Sequence, residues 1–352
     1  MKVALITDVH WGARNDSQAF IEFYRKFYTN YFFPTLEEQK IDTIIMLGDT
    51  FDRRKYTNHA TIKAAKDIFF DVLREKNMNA YIIVGNHDTF YKNTNEVNTV
   101  DLLLSEYTDN LVSISRPKTI AIGGCEIAMI PWICADNYVE CFNEINTTKA
   151  ELCMGHFEIS GFEMYRGHPS EGGLSAESLA RFDAVFSGHY HHRSSRGNIT
   201  YLGTPYELTW QDYNDPKGFH IFDTQTRQLT FYQNPYTMFV RLEYDDKNKE
   251  PIDLAALDLQ ETYVKLVVVN KTDYYKFDVF INKLYTKGCH DIKIVEDMSE
   301  FQQGEVDENI DLEDTLSILA NYIDSVNTDV DKNKIKTYMK ALYVEAVNAE
   351  VI

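Results

Sequence analysis

The chain has 352 residues, 44% of them hydrophobic, 13% aromatic and 25% charged, which is typical of a well-packed globular protein and argues against bulk disorder. Its formal net charge of −19 argues against broad, nonspecific adhesion to nucleic acid, because proteins of that kind present a basic surface. Five cysteines without CxxC spacing argue against a disulfide framework and a thiolate zinc site. The apolar start is too short for a signal peptide or a membrane span, so we expect a cytoplasmic protein with reduced thiols and no membrane association.

Residues 1–235 alternate short apolar runs with longer amphipathic stretches, and this pattern predicts a layered α/β domain whose central strands are buried on both faces. Strands are expected at 3–6, 43–47, 81–84, 127–130, 152–154 and 184–186. Helices are expected near 17–33, 59–76 and 137–146. Thr57 or Asn58 is the expected cap of the second helix. Two later apolar runs predict a closing hairpin, at 219–222 and 229–232.

The pattern changes after residue 235. The strand-like segments VRLEY, YVKLVVV and DIKIVED, with a helix-like stretch at 274–285, predict a compact second unit. Six of the ten residues from 305 to 314 are acidic and none is basic, which indicates a solvated linker. Two amphipathic helices are expected after it, with apolar faces formed by Leu312, Leu316, Leu319, Ile323 and Val326 and by Ile335, Tyr338, Met339, Leu342, Tyr343 and Val347. The expected domains are therefore 1–235, 236–300 and 301–352.

Metal-competent side chains follow five of the predicted strands. A single Asp-x-His or Gly-His is more often an ordinary polar turn than a pair of ligands, but here the same chemistry recurs at five strand ends. The carboxyl ends of strands in an open α/β sheet share one crevice, so we expect these side chains to meet there. A glycine directly before four of the blocks lets backbone and ligand crowd a small site. In chain order the candidates are Asp8, His10, Asp49, Asn86, His87, Asp88, His156, His189 and His191.

These blocks, in the order DVH, GD, GNHD, GH and GHYH, resemble those of the calcineurin-like metallophosphoesterases over residues 1–235. Within that superfamily, DVHWG, GDTFD, VGNHD, GHYHH and GTPYELTWQD are most similar to the SbcD-type nuclease subunits of DNA repair and recombination, and in particular to their phage branch. The resemblance implies a sandwich of central β-sheets flanked by helices, a small α/β capping domain that binds DNA, and C-terminal helices. One position departs from the family pattern, because Asp52 stands where the family has His, and its role stays open.

The resemblance also implies a role for each block. One metal would be held by Asp8, His10, Asp49 and His191, and the other by Asp49, Asn86, His156 and His189. Mixed carboxylate and imidazole ligation suits Mn²⁺, Fe or Zn; the family favours two Mn²⁺, and Mg²⁺ stays an open alternative. His87 would stabilise the transition state or protonate the leaving oxygen, with Asp88 orienting its ring.

The expected function is Mn²⁺-dependent exonucleolytic and endonucleolytic cleavage of DNA ends, in complex with an SMC-like coiled-coil ATPase that binds residues 301–352 through hydrophobic contacts. The family further implies a homodimer and, if the chain is encoded by a phage, a location in the host cytoplasm. Two alternatives stay open: a calcineurin-like enzyme that acts on a phosphoprotein, a nucleotide or a lipid-linked phosphate, and a non-catalytic scaffold on the same fold. The complete ligand set argues against the scaffold, and the units after residue 235 argue against a minimal phosphodiesterase.

Three further features carry weaker signals. The basic run Arg53, Arg54 and Lys55 is expected either to grip backbone phosphates or to form a solvated entry to a helix. Packing, rather than stacking on a substrate, is expected for the aromatic cluster of Tyr206, Trp210 and Tyr213. Surface or packing roles are expected for four histidines outside the site, which are His59, His168, His192 and His220.

Overall fold

The structure is a computed structural model that describes residues 1–250 and 252–296, together with six single residues: Ile323, Lys332, Lys334, Ile335, Lys336 and Met339. By their internal contacts, Met1–Glu300 form one compact unit and Phe301–Ile352 form another. The acidic linker expected at 305–314 lies outside the described residues. So does most of the expected pair of C-terminal helices, although the six described residues are all helical.

Seventeen strands lie in the part of the chain that the structure describes. They are β1 Lys2–Ile6, β2 Thr43–Met46, β3 Asn79–Ile83, β4 Leu111–Ile114, β5 Lys118–Ile122, β6 Cys125–Ile130, β7 Leu152–His156, β8 Glu163–Tyr165, β9 His168–Pro169, β10 Ala184–Gly188, β11 Ser194–Arg196, β12 Ile199–Tyr201, β13 Gly218–Asp223, β14 Leu229–Gln233, β15 Phe239–Asp245, β16 Tyr263–Asn270 and β17 Asp291–Val295.

Within residues 1–250 and 252–296, a four-residue helical turn at Ala13–Asp16 is followed by the α-helices α1 Gln18–Phe27, α2 Phe33–Glu38, α3 His59–Ala65, α4 Asp71–Glu75, α5 Thr99–Leu103, α6 Tyr138–Thr147 and α7 Tyr274–Tyr285. The π-helical segments Tyr28–Phe32 and Lys66–Phe70 join α1 to α2 and α3 to α4. Short 3-10 turns occur at Ser105–Tyr107, Ala176–Leu179, Trp210–Asp212 and Leu254–Ala256. No helix among the described residues is long and apolar enough to cross a membrane.

Two six-stranded sheets form the centre of the fold within the first 233 residues. The first has the order β14-β13-β1-β2-β3-β4, with β1 to β4 parallel and the hairpin β13-β14 antiparallel beside β1. The second has the order β11-β12-β10-β7-β6-β5, with four parallel strands between two antiparallel edge strands. The predicted layered α/β fold is confirmed, and the structure divides its strands between two sheets.

The apolar cores follow from strands that are buried on both faces. Successive residues of a strand point to opposite faces, so Val3 and Leu5 pack between the two sheets, whereas Ala4 and Ile6 pack beneath α1 to α4. A further core lies between the second sheet and α6, where Cys141 and Ile145 are buried. The resulting order of layers is helix, sheet, sheet and helix.

Most predicted elements of the first 235 residues are confirmed. The helix expected at 59–76 begins as α3, and its cap is Asn58, whose side chain accepts the Ala60 N–H at 2.8 Å. The helix expected at 17–33 extends further, to Glu38, because Pro34 lies in the first turn of α2, where a missing N–H is tolerated. Strands β4, β5, β11 and β12 were not expected. They have only three to five residues, and in β4, β5 and β11 exposed positions interrupt the apolar run that identifies a strand.

After residue 238 the chain forms a parallel sheet of order β15-β16-β17. One face packs on α7 through a small core, in which Leu242 and Leu266 meet Phe277. The sheet is tied to the preceding residues by Glu207, whose Oε2 accepts the N–H groups of Met238 at 2.7 Å and Phe239 at 2.9 Å. The described residues between 239 and 295 therefore have a sheet and a core of their own within the larger compact unit, and the division into 1–235, 236–300 and 301–352 stays a prediction.

Candidate metal centre

Eight predicted site residues gather where five strands end. Those after β1, β2 and β3 belong to the first sheet, and those at the ends of β7 and β10 belong to the second. The two edges are in direct contact, because the Asp8 carboxylate accepts the His189 N–H at 3.0 Å and the His156 Nδ1 donates to the Leu47 carbonyl at 2.7 Å. The single crevice expected from the sequence is therefore built by two sheets. Its residues are Asp8, His10, Asp49, Asn86, His87, His156, His189 and His191.

Asp8, His10 and His191 form one cluster. One possible ligand atom from each lies within 4.8 Å of the others. His10 Nε2 is 3.9 Å from Asp8 Oδ1 and 3.8 Å from Asp49 Oδ2. Among the described residues, His10 Nε2 and His191 Nδ1 are buried without a hydrogen-bond partner. Buried polar atoms need a partner, and a cation at the centre of this cluster would supply it.

Asp49, His156 and His189 form a second cluster, with possible ligand atoms again within 4.8 Å of one another. His156 Nε2 lies 3.3 Å from Asp49 Oδ2. Asn86 joins the set, because its Oδ1 is 2.9 Å from His156 Nε2 and 2.9 Å from His189 Nδ1. An amide oxygen can only accept, so the two nitrogens either donate to it or face a cation together with it. The side chains of these four residues, Asp49, Asn86, His156 and His189, therefore converge on one point.

Asp49 lies between the two clusters. Burial alone would raise the pKa of its carboxyl, but His156 and His87 hold that pKa well below its usual value. Burial would lower the pKa of His156, whereas the Asp49 carboxylate raises it to about 9. The same competition, with Asp52 as the strongest opposing group, raises the pKa of His10 to about 9. Buried carboxylates thus draw positive charge into the centre, a demand that divalent cations fit.

The turns that deliver these side chains are strained. Asp8, His10, Asp49 and His189 have φ angles of 50°, 45°, 53° and 89°, a region that residues with a Cβ rarely adopt outside functional sites. The predicted crowding of candidate ligands by glycine is confirmed at Gly48, Gly85 and Gly188. A Cβ on Gly48, whose φ is 100°, would lie 2.3 Å from His156 Nδ1, and a Cβ on Gly85 would lie 2.2 Å from Asp49 Oδ1.

His87 lies beside the clusters, and its orienting partner is not the expected one. Its ring is 4.9 Å from that of His10, and its Nδ1 is 2.5 Å from the carbonyl oxygen of Asp52. The Asp88 carboxylate instead accepts three backbone N–H groups at 2.9 to 3.0 Å, from Thr50, Phe51 and Gly85. The expected role of Asp88 in orienting the ring is therefore wrong, because its oxygens are used to hold the Asp49 and Asn86 turns together. Burial, followed by the nearby Asp49, raises the pKa of Asp88 to about 6.

Asp52, whose role the sequence left open, is a charged neighbour of His10. Its Oδ1 is 3.3 Å from His10 Nδ1, which leaves Nε2 facing the cluster. A carboxylate behind a histidine in this way fixes the ring and the nitrogen that it presents to a metal. The position of Asp52, three residues after Asp49 in the same turn, was the signal that it belongs to the site.

The Arg53 side chain contacts a neighbouring turn. Its guanidinium forms an ion pair with Asp16 at 3.1 Å and donates to Tyr56 at 2.8 Å and to Asn15. Residues Arg14 to Asp16 form a left-handed turn that this guanidinium holds in place. For Arg53, the structure favours the helix-entry alternative over a grip on phosphates.

The packing roles expected for other aromatic residues are confirmed where the side chains are buried. The Tyr206 ring stacks on Tyr24 with centroids 4.1 Å apart, and Trp210 packs on Phe239 at 4.7 Å, whereas Tyr213 is 37% exposed. The remaining histidines also follow the prediction. Two are exposed, one packs in the core and one pairs with Asp215; they are His59, His168, His220 and His192.

The sequence did not single out Trp132, which directly borders the centre. Its ring lies 5.2 Å from that of His189 and 6.2 Å from that of His156. Trp132 follows β6, a predicted strand whose end lies at the same edge of the second sheet as those of β7 and β10. The strand-end pattern was therefore the available signal, but this end carries no metal-competent side chain.

Comparison with known proteins agrees with this geometry. The family model described as calcineurin-like phosphoesterase matches residues 1–193, which include every candidate ligand. The chain belongs to this family. This phosphoesterase is also 33% identical to Exonuclease subunit 1 of Enterobacteria phage T4 over 352 residues, covering 98% of this chain and 99% of the relative.

Two bacterial relatives of the phosphoesterase are more distant. The SbcD subunit of the nuclease SbcCD from Staphylococcus epidermidis is 22% identical over 313 residues, which cover 79% of this chain and 78% of that protein. The protein of the same name from Staphylococcus saprophyticus is 20% identical over 380 residues, covering 98% of this chain and 99% of the relative. The resemblance to SbcD-type and phage nuclease subunits that the sequence motifs indicated is confirmed.

Proposed function

We propose that this phosphoesterase is a hydrolytic nuclease of the SbcD type that cleaves phosphodiester bonds at DNA ends, both exonucleolytically and endonucleolytically. The observation that carries the proposal is the pair of buried ligand clusters joined through Asp49, in a chain related over its whole length to a phage exonuclease subunit. The geometry supports hydrolysis of a phosphate ester, and the relationship supports DNA as the substrate.

The residues fit two divalent cations. We assign Asp8, His10, Asp49 and His191 to one ion and Asp49, Asn86, His156 and His189 to the other. The donors are carboxylate and amide oxygens with imidazole nitrogens, a set that suits Mn²⁺, Fe or Zn. Among these we propose Mn²⁺, with Mg²⁺ as the alternative that a metal-exchange experiment separates. Two such ions, when bound, activate a water nucleophile and neutralise charge that develops on the phosphoryl oxygens.

We assign His87 to the substrate, and not to a metal, although one of its ring nitrogens also lies within 4.8 Å of possible ligand atoms of His10 and Asp52. The Asp52 carbonyl, 2.5 Å from Nδ1, can only accept, so Nδ1 carries a proton and Nε2 is the nitrogen left for the substrate. The ring is partly exposed, unlike the buried rings of His10 and His156. In its protonated form, His87 is therefore suited to donate a hydrogen bond or a proton from Nε2 to the leaving oxygen as the phosphodiester breaks.

The acidity of the chain shapes how DNA would bind. A formal charge of −19 opposes nonspecific contact with the DNA backbone. Two divalent cations outweigh the two carboxylates of the centre, Asp8 and Asp49, so the anionic phosphodiester is attracted at this place. We infer that binding is concentrated at the metal centre and that a partner subunit supplies further contacts to DNA.

The partner we propose is an SMC-like coiled-coil ATPase, bound through the apolar faces predicted in residues 301–352. Support comes from the sequence pattern of those residues and from the relatives, which are named as subunits. By the same relationship we propose a homodimer of the nuclease subunit that acts in the cytoplasm of the host cell.

One set of assays tests the proposal. Labelled double-stranded and single-stranded DNA, bis-p-nitrophenyl phosphate and p-nitrophenyl phosphate are incubated with the full chain and Mn²⁺, Mg²⁺ or EDTA, with and without the ATPase. We expect Mn²⁺-dependent release of nucleotides from DNA and hydrolysis of the diester, both abolished by EDTA. Hydrolysis of small phosphates without any cleavage of DNA, even with the ATPase present, would favour the alternative substrate class that the net charge suggests, a non-DNA phosphate ester.

A further inference from the structure

Lys217, directly before β13, has a buried ammonium next to the metal centre. Its side chain is only 4% exposed, and Nζ lies 2.7 Å from Asp212 Oδ1. The same Nζ is 2.8 Å from Asp215 Oδ2 and 2.7 Å from the carbonyl oxygen of His191. An ammonium has three N–H donors, so each donor has one acceptor.

The two carboxylates are fixed in turn, which fixes the ammonium. Asp212 Oδ2 accepts the backbone N–H groups of Leu208 and Thr209, both at 2.9 Å. Asp215 Oδ1 lies 3.0 Å from His192 Nδ1. Burial alone would lower the pKa of Lys217, but the two carboxylates raise it, so the side chain stays charged.

The third acceptor belongs to the backbone of a proposed metal ligand. The His191 carbonyl takes the Lys217 Nζ and also the Thr204 N–H, at 3.2 Å. The His191 ring is directed to the centre, with its centroid 5.1 Å from that of His10. Since the ring is carried by this peptide, a shift of the backbone by a few tenths of an ångström moves the ligand nitrogen by a similar amount. Metal sites tolerate only small changes in the distance between the ion and a ligand atom, so such a shift would weaken metal binding.

We propose that Lys217 is a positioning residue that holds His191 at the metal centre by binding its carbonyl oxygen. Lys217 itself touches neither the metal nor the substrate. The inference rests on the proposed function, in which His191 is a ligand of one of two ions. Loss of this contact weakens the ion shared with Asp8 and His10, and it leaves the ion held by Asn86, His156 and His189 in place.

The test uses the full chain and Mn²⁺ alone. Lys217→Met by itself would leave two buried carboxylates without a cation and would destabilise the fold, so it is combined with Asp215→Asn. Asp215→Asn alone is the matched control, because it keeps the contacts of Nζ with His191 and Asp212. Thermal unfolding confirms that both variants fold, and calorimetric titration counts the bound Mn²⁺. Should the combined variant unfold, adding Asp212→Asn removes the last buried charge and the titration is repeated.

We expect two tightly bound ions in the original chain and in the control. In the combined variant one ion stays tight and the other binds at least about tenfold more weakly, the loss typical of a residue behind a ligand. In a His191→Ala background, adding the combined substitutions should change Mn²⁺ affinity less than about twofold, because the positioned ring is already absent.

Two tight ions in the combined variant, or equal weakening of both ions, would overturn the inference while leaving the proposed function intact. An equal loss with and without His191 would overturn it as well, because it would show a general effect on the fold. An original chain that binds no Mn²⁺ would overturn the metal assignment in the proposed function and the inference together.

Discussion

The two sheets supply unlike halves of the metal centre. Both carboxylates and the amide oxygen come from the first sheet, through Asp8, Asp49 and Asn86, whereas the second sheet supplies imidazoles alone. Burial and His156 lower the pKa of His189 to about 3, and burial and His10 lower that of His191 well below its usual value. These two rings therefore stay neutral and keep a lone pair for a metal. In the proposed centre, the first half would attract the cations and the second would complete their coordination.

Substitutions in the two halves should therefore have different effects on metal binding. A change in the carboxylates of the first sheet removes the charge that holds the cations, so it should affect both ions. A change at His189 or His191, the two neutral rings of the second sheet, removes one neutral donor, so it should affect one ion. A substitution that disturbs the contact between the edges of the two sheets should lower the unfolding free energy more than it lowers the rate of hydrolysis.

The largest effect is expected for Asp49→Ala, because this carboxylate lies between the clusters. Loss of a ligand to both ions should lower the rate of bis-p-nitrophenyl phosphate hydrolysis by about 10⁴-fold, since metal ions supply several kcal/mol of transition-state stabilisation. Bound metal, measured by atomic spectrometry after dialysis, should fall with it. His189→Ala is the comparison and should lose one ion only. Two tight ions and a normal rate in Asp49→Ala would show that Asp49 is not shared.

A smaller effect on metal, with a large effect on rate, is expected for His87→Ala. Its ring binds the Asp52 carbonyl and no proposed ligand atom depends on it, so both ions should remain. Loss of a proton donor in the transition state should lower the rate by about 10²- to 10³-fold. Rate and bound metal are measured on the same sample. A fall in metal content as deep as that of Asp49→Ala would make His87 a ligand.

The fit between the sheets is tested by Gly48→Ala. Its Cβ would lie 2.3 Å from His156 Nδ1, at a φ of 100°. The matched control is Gly124→Ala, because Gly124 also has a positive φ, of 81°, but has nothing within 4 Å of its Cβ. Strain of this kind costs about 1–3 kcal/mol, and we expect the Gly48 variant to lose more unfolding free energy than the control in urea titrations. Equal losses would show that the edges have room to separate.

The smallest effect on chemistry is expected for removal of residues 305–352. The candidate centre and the three-stranded sheet lie within Met1–Glu300, so hydrolysis of the small diester should stay within about threefold of the full chain, which is an order-of-magnitude expectation for a change outside the site. Co-purification with the SMC-like ATPase should be lost, because the predicted apolar helices are gone. A shortened chain that unfolds, or that still binds the ATPase, would place these helices in the body of the enzyme.

Most of the candidate site was predictable because each proposed ligand lies at the end of a strand or within four residues after it, where local pattern and function coincide. The runs before Asp8 and Asp49 are apolar enough to identify β1 and β2, and the ends of parallel strands meet at one edge. The partner of the His87 ring was not predictable in this way. Asp88 is its neighbour in sequence, but its carboxylate is used by three N–H groups of other turns, and a backbone carbonyl took the place beside the ring.

The sequence by itself determined the family, the strand ends that carry the ligands, and the chemistry of the donors, because these depend on residue type and on short spacings. The tertiary structure decided that two sheets share the centre, that Asp52 stands behind His10, and that Lys217 binds the carbonyl of His191. The last two contacts both join residues that are distant in sequence, because Asp52 follows His10 by 42 residues and Lys217 follows His191 by 26. No local pattern encodes such contacts, because strand pairing in the first sheet brings the turns of His10 and Asp52 together and the packing of the two sheets brings Lys217 to His191.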